Sequence, residues 1–132
     1  MIFHSNRNEV QATMAKILIV DDSRELIDVF SMIFEANTFE VRSALDRQSL
    51  HRELNGFLPD VVLLDVRLGL DDGRILCQEI RQNYSSQQTS VILLSASPEL
   101  LRNYRSFGAD DVLEKPFDIN TVVNKVNALI RH

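Results

Sequence analysis

Short apolar runs alternate with longer segments of helical spacing five times from Lys16 onward. The runs are KILIV, FEVRSA, VVLLDV, SVILLS and DVLEK, each of strand length and rich in valine, isoleucine and leucine. Three of them are almost continuously apolar, which is typical of strands covered on both faces of a parallel sheet. The alternation predicts five β-α units in one domain.

The first segment between runs, SRELIDVFSMIFEA, has the spacing of an amphipathic helix. It places Leu26, Phe30 and Ile33 on one face, and Asp22 and Glu25 stand at capping-box spacing before it. This pattern predicts that the chain leaves the first strand and enters a helix within a few residues.

Four further segments predict helices. In SPELLRNYRSFG, Ser97 is the expected N-cap, Pro98 the first helical residue and Gly108 the stop signal. The other three are predicted by apolar residues at steps of three or four: Leu50 and Leu54 in DRQSLHRELN, Leu76, Ile80 and Tyr84 in DGRILCQEIRQNY, and Ile119, Val122, Val123, Val126, Leu129 and Ile130 in DINTVVNKVNALI.

Repeated β-α units predict right-handed crossovers and a doubly wound α/β sheet, with ligands outside the carboxyl ends of the strands. Polar residues stand at those ends. Asp21 and Asp22 follow the first run, Asp65 closes the third, Ser95 the fourth and Lys115 the fifth. We therefore expect these five side chains to converge at one edge of the sheet.

Three carboxylates at one place repel each other unless a cation lies among them. An all-oxygen ligand set favours Mg2+, whereas zinc is disfavoured because His4, His51 and His132 lie far from these strand ends in the pattern. Taken alone, an Asp-Asp pair is more often a helix cap in a solvated turn. The predicted convergence reverses that preference and indicates a magnesium site.

Asp65 ends a buried apolar run, where a carboxylate is costly without partners or a purpose. Beside Mg2+, with Lys115 and Ser95 opposite, it has the surroundings of a nucleophile that attacks phosphorus and forms an aspartyl phosphate. Considered separately, Ser95 is an ordinary strand-end hydroxyl and Lys115 is an ordinary surface cation. The combination favours the phosphoacceptor interpretation.

Length, composition and charge narrow the class of protein. At 132 residues, with 45% hydrophobic and 25% charged residues, the chain is expected to form one domain over residues 16–132, after a loose polar tail at 1–15. A cytoplasmic location is expected because no run is long enough to cross a membrane. Cys77 is the single cysteine, which excludes an internal disulfide, and the net charge of -5 argues against direct binding of nucleic acid.

The sequence resembles the receiver domains of two-component response regulators over Lys16 to about Arg131. The resemblance rests on ILIVDDS, VVLLDV, LLSAS and GADDVLEKPF in this order. It implies a flavodoxin-like fold with strand order 2-1-3-4-5, in which Asp65 accepts a phosphoryl group from a sensor histidine kinase or a histidine phosphotransfer protein. It also implies that Asp22, Asp65 and the backbone carbonyl of Arg67 bind Mg2+, that Asp21 acts through water, and that the Lys115-Pro116 bond is cis.

Some positions depart from the pattern of this family. Val112 stands where an aromatic residue is usual, so signal transmission through a rotating ring is not expected. Leu68-Gly69 replaces a common Met-Pro pair and predicts a more mobile loop, unless contacts order it. Arg67 and Ser97 occupy positions that tune access of water to the acyl phosphate, and the hypothesis is that the Arg67 guanidinium alters its lifetime.

Three alternatives remain open at this point. A Mg2+-dependent phosphohydrolase with an aspartyl-phosphate intermediate usually has a second acid two residues after its nucleophile, where this chain has Arg67. A flavin or nucleotide binder requires a glycine- or hydroxyl-rich phosphate loop, whereas DDSREL is acidic. A degenerate receiver that is never phosphorylated conflicts with the complete set of five polar residues.

The resemblance implies a regulatory domain rather than a turnover enzyme, with a downstream effector protein or domain as its output. The chain stops after the fifth predicted helix, so it is either a stand-alone regulator or part of a longer one. The face formed by the fourth helix, fifth strand and fifth helix is the expected partner or homodimer surface. It carries mixed charges, which pair across a dimer or simply keep the surface solvated: Glu99, Arg102, Arg105, Glu114 and Lys125.

Overall fold

Five parallel strands form the central sheet of the computed structural model, which describes residues 14–83 and 89–130. The strands are β1 (Lys16–Val20), β2 (Glu40–Ala44), β3 (Val61–Asp65), β4 (Ser90–Ser95) and β5 (Asp111–Glu114). Their spatial order is β2-β1-β3-β4-β5, and every neighbouring pair is parallel. The structure confirms the predicted doubly wound, flavodoxin-like sheet.

Within residues 14–83 and 89–130, four α-helices cover the two faces of this sheet: α1 (Arg24–Ala36), α2 (Arg47–Gly56), α3 (Gly73–Asn83) and α4 (Ile119–Leu129). Successive β1 residues alternate between two core layers, because side chains of a strand point to opposite faces. Leu18 and Val20 pack with α2 and α3, whereas Ile17 and Ile19 pack with α1 and α4. Cys77 belongs to the first layer as a buried free thiol. Within the described ranges, no helix has the length and apolar character required to span a bilayer.

The fourth predicted helix is not an α-helix, so that prediction was wrong. Two short 3-10 turns occupy the segment, Pro98–Leu101 and Tyr104–Phe107, and Asn103 between them is left-handed with φ of 55°. Asparagine tolerates this conformation, which interrupts the helical hydrogen-bond ladder. Ser97 makes no side-chain capping bond. Gly108 does end the second turn, in the left-handed conformation that the stop signal predicted.

The start of α1 also differs from the prediction. Ser23, not Asp22, is the N-cap, and its hydroxyl accepts a hydrogen bond from the Leu26 backbone N–H at 3.2 Å. Asp22 and Glu25 therefore do not form a capping box; one is present instead at α2, between Asp46 and Ser49. The buried face of α1 is formed by Ile27, Phe30 and Phe34, so it is rotated relative to the predicted face, of which Phe30 alone is fully buried.

The connection between β3 and α3 is a small hairpin loop, residues 66–72. Arg67–Leu68 pairs with Asp71–Asp72 in an antiparallel ladder. Buried Leu68 anchors one arm, and the Gly73 N–H donates to the Val66 carbonyl at 2.6 Å. A Cβ on Gly73 would lie 2.2 Å from the Asp65 carbonyl oxygen, so glycine allows this close approach. Contacts thus order the loop that the Leu68-Gly69 pair predicted to be mobile.

The amino-terminal edge of the sheet is closed by Arg81 from α3. Its guanidinium donates to the carbonyls of Gly108 at 2.7 Å and Thr89 at 2.6 Å, and to the Asp110 carboxylate at 2.6 Å. Asp110 also accepts the Val91 backbone N–H at 2.8 Å. This network ties α3 to the starts of β4 and β5. Tyr84, predicted to continue the apolar stripe of α3, lies outside the described residues, as does the predicted tail apart from residues 14 and 15.

Candidate functional site

Backbone hydrogen bonds across the sheet fix the residues at the carboxyl ends of the strands. The Asp21 N–H donates to the Ala44 carbonyl at 3.1 Å, and the Lys115 N–H donates to the Ser95 carbonyl at 2.8 Å. Next to Asp65, the Val66 N–H donates to the Leu94 carbonyl at 2.9 Å. The parallel register therefore holds the main chain of the predicted site at one edge, before any side chain is considered.

Three carboxylates lie together at this edge. Asp21, Asp22 and Asp65 each offer one oxygen, and the three oxygens lie within 4.8 Å of one another. Asp21 is 2% and Asp65 is 7% exposed, whereas Asp22 is open to solvent. Two of the three charges are thus held where water screens them poorly, as the sequence predicted for an acidic cluster.

Backbone N–H groups hold one oxygen of each carboxylate. Ser23 donates to Asp21 Oδ1 at 2.9 Å, and Arg67 donates to Asp65 Oδ1 at 3.3 Å. The third donor comes from the hairpin loop, where the Gly69 N–H lies 3.0 Å from Asp22 Oδ2. In each carboxylate the second oxygen is left for another contact.

Lys115 is the cation nearest to the buried pair. Its ammonium nitrogen lies 3.4 Å from Asp21 Oδ2 and 3.5 Å from Asp65 Oδ2, contacts that are long for ion pairs. The pKa of Asp65 is raised to about 6, chiefly by burial and next by the nearby Asp21 charge, while the Lys115 ammonium acts in the opposite direction. One ammonium therefore does not compensate the negative charge of this cluster.

The donor set fits a divalent hard cation. Three carboxylates supply only oxygen ligands, which Mg2+ and Ca2+ prefer over the nitrogen and sulfur ligands that hold zinc. His51 lies elsewhere, bound to Glu79 with a 2.9 Å contact between its Nε2 atom and Oε1. Excess negative charge together with an all-oxygen donor set agrees with the predicted Mg2+ site.

A cavity of about 280 Å³ opens in front of Asp65. Ser95, Lys115 and Asp65 line it, and the hydroxyl of buried Ser95 accepts the Ser97 N–H at 3.0 Å. Arg67, Ala96 and Ser97 complete the lining. The cavity places a carboxylate, a hydroxyl and an ammonium around one open space, so it can receive a small anion such as a phosphoryl group.

Other predicted features have mixed outcomes. The Lys115-Pro116 bond is cis, as the resemblance implied. Val112, like Leu100 and Tyr104, is half-buried and packs against the core layer that contains Leu18 and Val20. Lys125, predicted as part of a charged partner surface, contacts its own chain, at 3.2 Å from Asp111 Oδ1 and 2.8 Å from the Val112 carbonyl. The predicted dimer through this face stays a prediction.

Sequence reasoning missed Ser23, Gly69 and Gly73 as parts of the site. All three act through the backbone: Ser23 and Gly69 donate N–H groups to the cluster, and Gly73 approaches the Asp65 carbonyl. The glycine before a helical pattern in DDGRIL was the one available signal, since glycine at such a point often marks close backbone approach.

Comparison with known proteins agrees with this geometry. Residues 17–127 match the family described as "Response regulator receiver domain". The chain therefore belongs to this family of regulatory domains of two-component signal transduction, and it is not a conventional enzyme.

Two curated relatives match most of the chain. The DNA-binding dual master transcriptional regulator RpaA of Synechocystis sp. is 34% identical over 123 residues, which is 89% of this chain and 50% of RpaA. The phosphate regulon transcriptional regulatory protein PhoB of Rhizobium meliloti is 32% identical over 120 residues, 89% of this chain and 53% of PhoB. The chain thus spans about half the length of the curated relatives it matches.

Two solved structures of response regulators share the fold over nearly their whole length. A putative response regulator from Chloroflexus aurantiacus has a TM-score of 0.82 at 26% identity, covering 89% of this chain and 98% of that one. The chemotaxis response regulator CheY4 of Vibrio cholerae has a TM-score of 0.81, also at 26% identity, covering 89% and 100%.

Proposed function

We propose that this domain is a Mg2+-dependent phosphoacceptor switch in which Asp65 is the residue phosphorylated. The observation that carries the proposal is the position of Asp65. Its carboxylate lines the cavity, beside two more carboxylates and 3.5 Å from the Lys115 ammonium. Such a carboxylate is accessible to a phosphodonor, and its neighbours match the charge that develops during phosphoryl transfer.

The transfer step is a displacement at phosphorus. A carboxylate oxygen of Asp65 forms the new P–O bond as the P–N bond to the histidine of a kinase or phosphotransfer protein breaks, and the departing electron pair stays on the imidazole nitrogen. Lys115 binds one phosphoryl oxygen and Ser95 donates its hydroxyl to another, since both line the cavity. Hydrolysis of the acyl phosphate by water later restores the carboxylate.

Mg2+ is part of this proposal. Asp22, Asp65 and the Arg67 carbonyl would hold it, with Asp21 acting through water, and the bound ion would neutralise charge on the transferring group. The support is the all-oxygen donor set and the negative charge that Lys115 leaves uncompensated.

The partners follow from the same proposal. A histidine kinase or phosphotransfer protein supplies the phosphoryl group in the cytoplasm, and phosphorylation changes binding to an effector protein or domain, or homodimerisation through the 98–107 segment, β5 and α4. Two of the similar proteins, RpaA and PhoB, are named as transcriptional regulators, which supports a regulatory output. This domain itself has a net charge of -5 and is proposed to make no direct contact with nucleic acid.

Labelling by a small phosphodonor tests the proposal. We expect acetyl phosphate to phosphorylate the wild-type protein in Mg2+ and not in excess chelator, and Asp65→Asn to remain unlabelled. Asp71→Asn is the matched control, because Asp71 is an exposed carboxylate of the same loop outside the acidic cluster. Labelling of Asp65→Asn at the wild-type rate, or none in the wild type, would overturn the assignment.

The lifetime of the phosphoryl group tests the hypothesis on Arg67. Arg67 lines the cavity and its side chain is exposed, so the guanidinium can reach across the phosphoryl group. We expect Arg67→Ala to change the dephosphorylation rate severalfold. An unchanged rate would mean that the side chain extends into solvent.

A further inference from the structure

The hairpin loop reaches back to the acidic cluster through a single backbone group. The Gly69 N–H donates to Asp22 Oδ2 at 3.0 Å, although the two residues are 47 positions apart. Among the three carboxylates Asp22 is the exposed one, whereas packing encloses Asp21 and Asp65. The side chain with the greatest rotational freedom is therefore the one held by the loop.

Contacts of the hairpin loop fix the position of the Gly69 N–H. The ladder of Arg67–Leu68 with Asp71–Asp72 flanks the turn, and the Leu68 side chain is 1% exposed. Gly69 has φ of 61°, in the left-handed region that glycine adopts readily and most other residues avoid. The direction of the Gly69 N–H thus depends on the left-handed conformation, which glycine permits.

Electrostatics gives this bond its importance. Without it, repulsion by the two buried carboxylates favours rotation of Asp22 toward bulk water. The Gly69 N–H instead holds this carboxylate by Oδ2, in an orientation in which one oxygen each of Asp21, Asp22 and Asp65 lie within 4.8 Å of one another. A ligand held in its bound orientation loses less entropy when the cation arrives, so affinity rises.

We propose that Gly69 is a positioning residue for the divalent cation, acting through the Asp22 carboxylate. The inference rests on the proposed function, since the cation is the Mg2+ required there. It assigns a role to a loop glycine that touches neither the cation nor the phosphoryl group. It also implies that cation binding and the conformation of the hairpin loop stabilise each other.

Calorimetric titration with MgCl2 measures the effect. Gly69→Pro removes the N–H and excludes positive φ, so we expect the Mg2+ dissociation constant to rise about fivefold, as for the loss of one hydrogen bond. Gly69→Asn keeps the N–H and tolerates the left-handed conformation, and should stay within about twofold of wild type. Leu70→Ala, at the fully exposed neighbouring position, is the control for disturbance of the turn.

A double-mutant cycle decides whether the effect passes through Asp22. In an Asp22→Ala background, Gly69→Pro should change Mg2+ affinity no further. An equal loss in both backgrounds, or no loss in the wild-type background, overturns the proposal.

Hydrogen exchange without metal separates this inference from the proposed function. The Gly69 amide should exchange slowly in the wild type and faster in Asp22→Ala. Exchange as fast as that of Leu70 in the wild type overturns the inference even if Mg2+ binds. If the Gly69 amide is protected but the protein binds no Mg2+, the proposed function is wrong, and so is the role of Gly69 in cation binding. The contact between Gly69 and Asp22 then remains a feature of the fold.

Discussion

The carboxylates at the two edges of the sheet differ in how fully the chain compensates their charge. At the amino-terminal edge, Asp110 is paired with Arg81 at 2.6 Å and accepts the Val91 N–H at 2.8 Å. At the carboxyl-terminal edge, Asp21 and Asp65 share Lys115 at 3.4 and 3.5 Å, with a third carboxylate nearby. One edge satisfies its charges within the chain, whereas the other leaves negative charge uncompensated.

This difference separates stability from function within one small fold. A paired and hydrogen-bonded carboxylate ties elements together, but it is not available to a ligand. A poorly compensated carboxylate destabilises the isolated domain and leaves negative charge that a bound cation can neutralise. Substitutions at the two edges should therefore have effects of opposite sign on stability.

The largest effect is expected for Arg81→Met at the amino-terminal edge. The substitution leaves Asp110 without its guanidinium partner and removes donors to the carbonyls of Gly108 and Thr89. We expect the free energy of unfolding to fall by about 2 to 3 kcal/mol, somewhat less than for a fully buried pair. Urea unfolding followed by circular dichroism measures it.

Arg47→Met is the matched control for this prediction. Arg47 makes an ion pair with Glu79 at 3.0 Å on the surface, so its loss should cost about 0 to 1 kcal/mol. Equal losses for Arg81→Met and Arg47→Met would contradict the special role of the amino-terminal edge.

Asp65→Asn should stabilise the metal-free protein, by on the order of 1 to 2 kcal/mol at pH 8. The pKa of Asp65 is raised to about 6, chiefly by burial, so between the ordinary pKa and about 6 the folded state holds a proton that the unfolded state has lost. The contribution of the Asp65 carboxyl to wild-type stability is therefore present at low pH and is lost as pH rises through about 6.

Unfolding of both proteins at pH 5 and pH 8 in chelator measures this difference. It should widen toward pH 8, because asparagine does not titrate. A constant difference across this range would show that the carboxyl-terminal edge is not under electrostatic strain.

The smallest effect is expected for Gly108→Ala, which reaches the Arg81 network indirectly. Gly108 has φ of 92°, and a Cβ there would lie 2.7 Å from Arg81 Cγ, so the arginine stem must shift. We expect a loss of about 1 kcal/mol in thermal or urea unfolding. Gly56→Ala is the control, since a Cβ there meets nothing within 4 Å and should be neutral or mildly stabilising.

The predicted fold was right where a periodic pattern and burial agreed. The nearly continuous apolar run before Asp65 predicted a central strand, and β3 is buried along its full length. Predictions failed where a short polar segment had alternatives of similar energy. The 98–107 segment has a correct N-terminal proline and a correct glycine stop, yet Asn103 takes the left-handed conformation and divides the helix.

The sequence by itself determined the sheet, because strand periodicity is a local property of the chain, and the family resemblance supplied the strand order. Strand ends are local properties too, so the sequence also determined the convergence of five side chains: Asp21, Asp22, Asp65, Ser95 and Lys115. Only the tertiary structure decided that the Gly69 N–H holds Asp22 and that Arg81 forms an ion pair with Asp110. The first contact spans 47 positions of the sequence and the second spans 29. They depend on the direction of one N–H or one guanidinium in the folded chain, and no local pattern of apolar and polar residues encodes that direction.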